Sequence, residues 1–221
     1  MTPQRFKKAV AILNQRQPDL TVVTDEVHKG QNISAIIRTC DAVGIMELHS
    51  AYDSATFKAH TGTTMGTHKW VKTNIYPSIN TPLTKLKNDK YQIVAADISN
   101  SAVDYREVDY TRPTALLLGA EKFGLGKVAR KYVDEFVCIP MQGMVESFNV
   151  SVACAIILAE ARNQRELSGQ YASRQISDEC FREMILEWAQ PLVARYCQKH
   201  SLEYPELDDL GNIKNQYWRL Q

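Results

Sequence analysis

Six short apolar runs recur along the chain: LTVVTDEV from Leu20, IMELHSAY from Ile45, WVKTNIY from Trp70, YQIVAAD from Tyr91, TALLLG from Thr114 and FVCIP from Phe136. Each has strand length, and most are separated by stretches with helical spacing. Strands apolar on both sides need cover on both faces of a sheet. Alternation with helices supplies that cover, so the pattern predicts an α/β domain with a mostly parallel sheet flanked by helices. Between the runs, Asn32 can cap a helix that turns Ile33, Ile36, Ile37 and Cys40 inward and closes at Gly44. PLTKLK reads as a second helix, a Gly/Thr-rich passage precedes Trp70, and VSVACAIILAEAR begins a third helix with unusually small side chains.

The ends differ from the middle. Thr2-Pro3 starts a helix whose inner face is Phe6, Ala9, Val10 and Leu13. It carries Arg5, Lys7, Lys8 and Arg16 with no acid before Asp19, a basic face that reads either as a solvated helix surface or as a contact for RNA phosphates. From about Gln175 an amphipathic helix (Phe181, Met184, Ile185, Trp188), Pro191 and a tail with Tyr204, Tyr217 and Trp218 do not continue the sheet. The expected division is therefore a basic helix over 1–17, a sheet domain over 18–170 and a helical extension over 171–221.

Composition narrows the function. With 26 basic and 25 acidic residues the chain is no global polycation. No apolar run approaches the ~20 residues of a membrane span, and MTPQRFKKAV lacks a signal-peptide core. Cys40, Cys138, Cys154, Cys180 and Cys197 form no CxxC pair, which predicts reduced thiols and a cytoplasmic protein.

In an open α/β sheet ligands bind beyond the carboxyl ends of the strands, and three distant loops belong there. KGQNISAIIR holds Asn32 and, amid apolar neighbours, Arg38. LLLGAEKFGLGKVAR places Gly119 and Gly124 at P-loop spacing, but Leu125 stands where the phosphate-binding lysine belongs, so that reading fails. A loose dinucleotide fingerprint, Gly124-Leu125-Gly126 through Ala129, stays open as an alternative. Glu121 between the glycines is either an exposed loop carboxylate or the counter-charge to a bound cation. In IPMQGMVESFNVSVA, Pro140 ends a strand, Met141 to Glu146 leave main-chain groups that need partners, and Ser147 and Asn149 are suited to a turn and a helix cap.

Taken together, NISAIIR, LGAEKFG and IPMQGMVESFNVSVA resemble the three motifs of the SPOUT RNA methyltransferases, SpoU/TrmH branch, across roughly residues 20–165. RF…RQPDLTVV and VDYREVDYTRPT resemble in particular the tRNA guanosine-18 2′-O-methyltransferases within it. The resemblance implies S-adenosyl-L-methionine as methyl donor, tRNA as substrate, no metal, a homodimer and a C-terminal deep trefoil knot. It implies that Ala96, Gly119, Ile139, Met141 and Phe148 hold the donor. Glu121, Ser147 and Asn149 would then shape the site, with Arg38 as the catalytic arginine and Asn32 beside it. An arginine as a class keeps its proton, so stabilisation of a developing oxyanion stands beside proton acceptance as its role. Phe148 replaces the more usual leucine and Gly30-Gln31 the more usual Pro-His. An rRNA ribose methyltransferase and a non-catalytic RNA-binding module of the same fold are the competing readings.

Overall fold

The computed structural model describes residues 1–52, 69–99 and 101–215. The Gly/Thr-rich passage before Trp70, as well as Tyr217 and Trp218, lies outside them. The chain divides into two compact units, one of residues 17–169 and one of residues 1–16 with 170–221. The two helical extensions read separately from the sequence thus belong to a single unit.

In the larger unit, among the described residues, seven parallel strands run in the order β3-β2-β1-β6-β4-β7-β5: β1 (Leu20–Asp25), β2 (Glu47–Ala51), β3 (Lys72–Tyr76), β4 (Gln92–Ala96), β5 (Val103–Asp104), β6 (Thr114–Leu118) and β7 (Glu135–Cys138). The central β1 and β6 are buried along their whole length, so their polar residues Thr21, Thr24, Asp25 and Thr114 are buried with the apolar ones. The two-residue β5 lies within a stretch whose polarity reads as loop; its pairing to Val137 and Cys138 is a tertiary contact without a local signal.

Alternate strand residues face two helical layers. Leu20, Val22, Leu48, Val94, Leu116 and Leu118 meet Ile36, Ile37 and Cys40 of α2 (Gly30–Ala42) and Cys154, Ile157, Leu158 and Ala161 of α5 (Val150–Leu167). On the opposite face Val23, Ile93, Ala95, Ala115 and Leu117 meet Leu83 and Leu86 of α3 (Asn80–Asn88) and Leu125 and Ala129 around α4 (Lys127–Arg130). The small side chains early in α5 allow it to pack closely against α2.

The far end of α5 is anchored by a fully buried arginine. Arg165 donates to Asp19 Oδ1 at 2.6 Å, to Gln17 Oε1 at 3.1 Å, and to the carbonyls of Tyr110 at 2.8 Å and Arg112 at 3.0 Å. Neighbouring Gln164 accepts from the Tyr110 N–H at 2.9 Å and donates to the Val108 carbonyl at 3.1 Å. Register places Thr24 and Ala96 both opposite Leu118, and Ala96 opposite Val137. The carboxyl ends of β1, β6, β4 and β7 therefore finish level, and the loops that leave them share one edge.

In the smaller unit α1 (Pro3–Leu13) is capped by Thr2, and α6 (Asp178–Ala189) by Ser177. α7 (Pro191–His200) begins at the proline read as a break. Arg5, Lys7 and Lys8 are exposed on α1. Arg16 departs from the expected phosphate-binding face: it is fully buried, its guanidinium carbon 5.2 Å from the Trp188 ring centroid. Aromatic contact with a planar cation offsets part of the cost of that burial.

Candidate active site

The first loop ends at Lys29, which takes the N-cap position of α2. Asn32 is therefore inside the helix and not its cap. Freed from capping, its buried side chain bridges the two other loops: its amide donates to Glu121 Oε1, and its carbonyl accepts from the Asn149 amide at 3.2 Å. Asn149 is the cap of α5, its Oδ1 receiving the Ser151 N–H at 2.9 Å and hydroxyl at 2.6 Å. One chain of hydrogen bonds, Asn149 to Asn32 to Glu121, thus joins three segments that are distant in sequence.

The loop after β6 is a tight turn. Ala120 and Gly124 exchange main-chain hydrogen bonds at 3.0 and 2.9 Å and present Glu121 between them. Gly124 takes φ +63°, and a Cβ on Gly119 would lie 2.4 Å from the Gly124 carbonyl carbon, so neither position accepts a side chain without moving the turn. The Gly126 N–H is taken by the Asp25 carboxylate at 2.8 Å. Burial raises the pKa of that carboxyl above the ordinary range, partly offset by the Gly126 hydrogen bond. This overturns the dinucleotide reading of Gly124 to Ala129: the amide it would offer a phosphate faces a carboxylate, and α4 has only four residues.

These loops enclose a cavity of about 450 Å³. Its wall includes Ala96, Gly119, Glu121, Ile139, Met141, Ser147, Phe148 and Asn149, so eight of the residues singled out from sequence meet in one place. Asn32 stands behind them. Arg38 does not reach the wall; it is exposed on α2 and its side chain makes no hydrogen bond or ion pair among the described residues. Arg5, Lys7, Lys8 and Arg16 belong to the other unit. Asp97, Lys29 and Glu146 also line the cavity and were missed in the sequence. For Asp97 a signal existed, an acid directly after a parallel strand's carboxyl end, where such sheets bind ligands.

The cavity suits a nucleoside-sized group. Its volume falls within the ~300–1,000 Å³ of small-molecule sites. Leu118, Val137, Ile139 and Ile157 give it apolar walls. Main-chain N–H and C=O groups of Met141–Phe148 make no main-chain hydrogen bond among the described residues and so remain available to a ligand. Gly119 provides a stretch of wall without a side chain.

A parallel sheet with a ligand-sized cavity over four strand ends, closed by an asparagine-carboxylate bridge, defines an α/β enzyme of the class that holds a nucleoside-type cofactor in loops. The chain belongs to the SpoU rRNA methylase family, whose model matches residues 19–159, while the SpoU rRNA methylase C-terminal model matches residues 163–216. It is 39% identical over 216 residues to the tRNA (guanosine(18)-2′-O)-methyltransferase of Escherichia coli K12, covering 97% of this chain and 94% of that protein. The enzyme of the same name from Thermus thermophilus is 42% identical over 187 residues, covering 85% and 96% respectively. Among solved structures, the TrmH/SpoU tRNA modifying enzyme of A. aeolicus superposes with a TM-score of 0.79 at 41% identity, covering 86% of this chain and 97% of its own. The SpoU methyltransferase AviRb from Streptomyces viridochromogenes, in complex with AdoMet, gives 0.61 at 27% identity, covering 70% and 62%.

Proposed function

We propose that this protein transfers a methyl group to the ribose 2′-hydroxyl of guanosine 18 in tRNA, with S-adenosylmethionine as donor. The observation that carries the reading is the bridge from Asn149 through Asn32 to Glu121, which ties the three family motifs into one cavity wall. The identity of 39–42% to relatives named for this reaction, over most of both chains, supports the same target. S-Adenosylmethionine, when bound, supplies an electrophilic methyl group that needs no metal.

The protein's own part is positioning and electrostatics, and orientation alone can lower such a barrier by ~7–11 kcal/mol. Main chain from Ile139, Met141 and Phe148 would hold the adenine beside Gly119 and Ala96. Glu121, whose hydrogen-bond partner is a neutral amide, would offer its charge to the cationic end of the donor. Arg38, exposed on α2, would take an RNA phosphate and stabilise the 2′-oxygen as its proton passes to solvent water. Arg5, Lys7 and Lys8 would add phosphate contacts.

The active form in this reading is a homodimer. Met144 is fully exposed, with Val145 64%, Phe148 40% and Val152 43% exposed, an apolar rim around the cavity that a second copy would cover. The trefoil knot belongs to the same reading, supported by the seating of α5 in the β5–β6 connection through Gln164 and Arg165. So does a cytoplasmic location, where tRNA is modified; among the described residues no helix is long and apolar enough to cross a membrane.

The family's description favours one second reading, ribosomal RNA as substrate. Labelled donor incubated with separate tRNA and rRNA pools, followed by nucleoside mapping, distinguishes them. Label at guanosine 18 of tRNA is expected; label in rRNA alone would overturn the proposal.

A further inference from the structure

The cavity's most enclosed carboxylate belongs to Asp97, to which neither the sequence motifs nor the bridge assigns a task. It directly follows Ala96 at the end of β4, and its N–H donates to the Val137 carbonyl at 3.1 Å, fixing its backbone to β7. Its side chain is 12% exposed and is ion-paired with the Arg130 guanidinium of α4. Arg130 is itself held with its guanidinium carbon 5.5 Å from the Phe136 ring centroid. Asp97 Oδ1 lies on the Gly124 side, 3.9 Å from where a Cβ on that glycine would stand.

We propose that Asp97, oriented by Arg130, is the acceptor for the ribose diol of the methyl donor; this rests on the donor reading above. A carboxylate offers about four lone-pair sites, and the guanidinium engages one oxygen, leaving acceptor capacity toward the cavity. Two neighbouring hydroxyls are donors that match it, as acidic side chains at strand ends do for nucleoside riboses in other α/β sheets. Charge sorts the wall's carboxylates. Asp97 already has a cationic partner, so it suits a neutral group with hydrogens to donate. Glu121 has a neutral one and suits a cation. Glu146 is exposed. Asp97 is thus a binding residue and Arg130 a positioning residue.

Calorimetry on the full-length protein tests this, with S-adenosylhomocysteine and its 2′-deoxy and 3′-deoxy forms as probes. The wild-type protein is expected to prefer the full diol by about tenfold or more, the size of a lost hydrogen bond to a charged group. Asp97→Asn should weaken S-adenosylhomocysteine by a similar factor while changing the deoxy forms less than about twofold. Arg130→Gln should show the same ligand-selective pattern, more weakly. Equal losses for all three probes would reduce Asp97 to a structural role and overturn the inference. Indifference of the wild-type protein to the missing hydroxyls would do so without any variant. Should wild type bind no S-adenosylhomocysteine, the donor reading falls and takes the inference with it.

Discussion

Asn32 is the side chain on which the site's construction turns, and its position inside α2 explains why. A cap residue spends its oxygen on its own helix; a buried asparagine further in has one donor and one acceptor free to engage two other loops. Asn32→Ala leaves the Glu121 carboxylate and the Asn149 amide without their mutual link. Both can reach water, so a modest cost of about 1–2 kcal/mol in stability is expected. S-Adenosylhomocysteine affinity should fall with it, because the walls lose their register. Urea unfolding and calorimetry measure the two effects; unchanged values in both would make the bridge incidental. A second residue, His49 of β2, sets a pH dependence. It is buried, bonded to the Tyr76 hydroxyl at 3.1 Å, and its pKa is lowered by burial below the usual 6.5. The folded protein then resists protonation that the unfolded chain accepts. Stability from this residue is complete above pH 6.5 and is lost as pH falls from there through the lowered value. His49→Gln should flatten the fall in melting temperature in that window, and an unchanged slope would assign it to other groups. Asp25 acts in the opposite sense, because its raised carboxyl pKa relieves a burial cost as pH falls.

Among the elements, α5 carries the most consequence, because its first residue borders the cavity and its last turns are tied elsewhere. Arg165 exchanges hydration for carbonyl and carboxylate partners, and no apolar residue of its length can satisfy them. Arg165→Met should therefore cost about 2–3 kcal/mol, because it leaves the carbonyls of Tyr110 and Arg112 without their donor while Asp19, 36% exposed, keeps access to water. Calorimetric melting checks it; a loss under about 1 kcal/mol would mean that water replaces the guanidinium at its partners. The element scale also shows what was legible in the sequence. β1, β6 and α5 were readable because burial on both faces, or close packing, forces a local composition. β5 was not, since two residues paired to Val137 and Cys138 leave no periodicity. Arg165 carries no sequence signal that sets it apart from other helix charges, and Arg16 reads as one more charge on a basic face. Their burial depends on partners far along the chain, Asp19 and Tyr110 for one and Trp188 for the other. The cavity was legible because its residues cluster in three contiguous loops; the ion pair of Asp97 was not, because its cation, Arg130, lies 33 positions away.

At the scale of the molecule the open question is how many copies make one working enzyme. Met144, Val145, Phe148 and Val152 expose apolar surface within nine residues of sequence, beside the cavity mouth. In a two-fold dimer the same patch faces its own copy, so every substitution there is made twice across the interface. Val152→Glu places two carboxylates in what would be a desolvated contact, and burying even one unpaired charge costs several kcal/mol. Val152 is on the first turn of α5 but is not part of the cavity wall. The variant is therefore expected to become monomeric while still binding S-adenosylhomocysteine within about twofold of wild type. It should nevertheless lose methyl transfer if, as proposed, the active form is a dimer, because Arg38 lies off the cavity wall and a second copy would then be needed to bring the 2′-hydroxyl to the donor. Light scattering with size exclusion reports the first outcome, calorimetry the second and single-turnover methylation the third. A monomer that methylates tRNA at the wild-type rate would show that one chain holds the whole active site. A variant that remains dimeric would place the interface elsewhere on the surface.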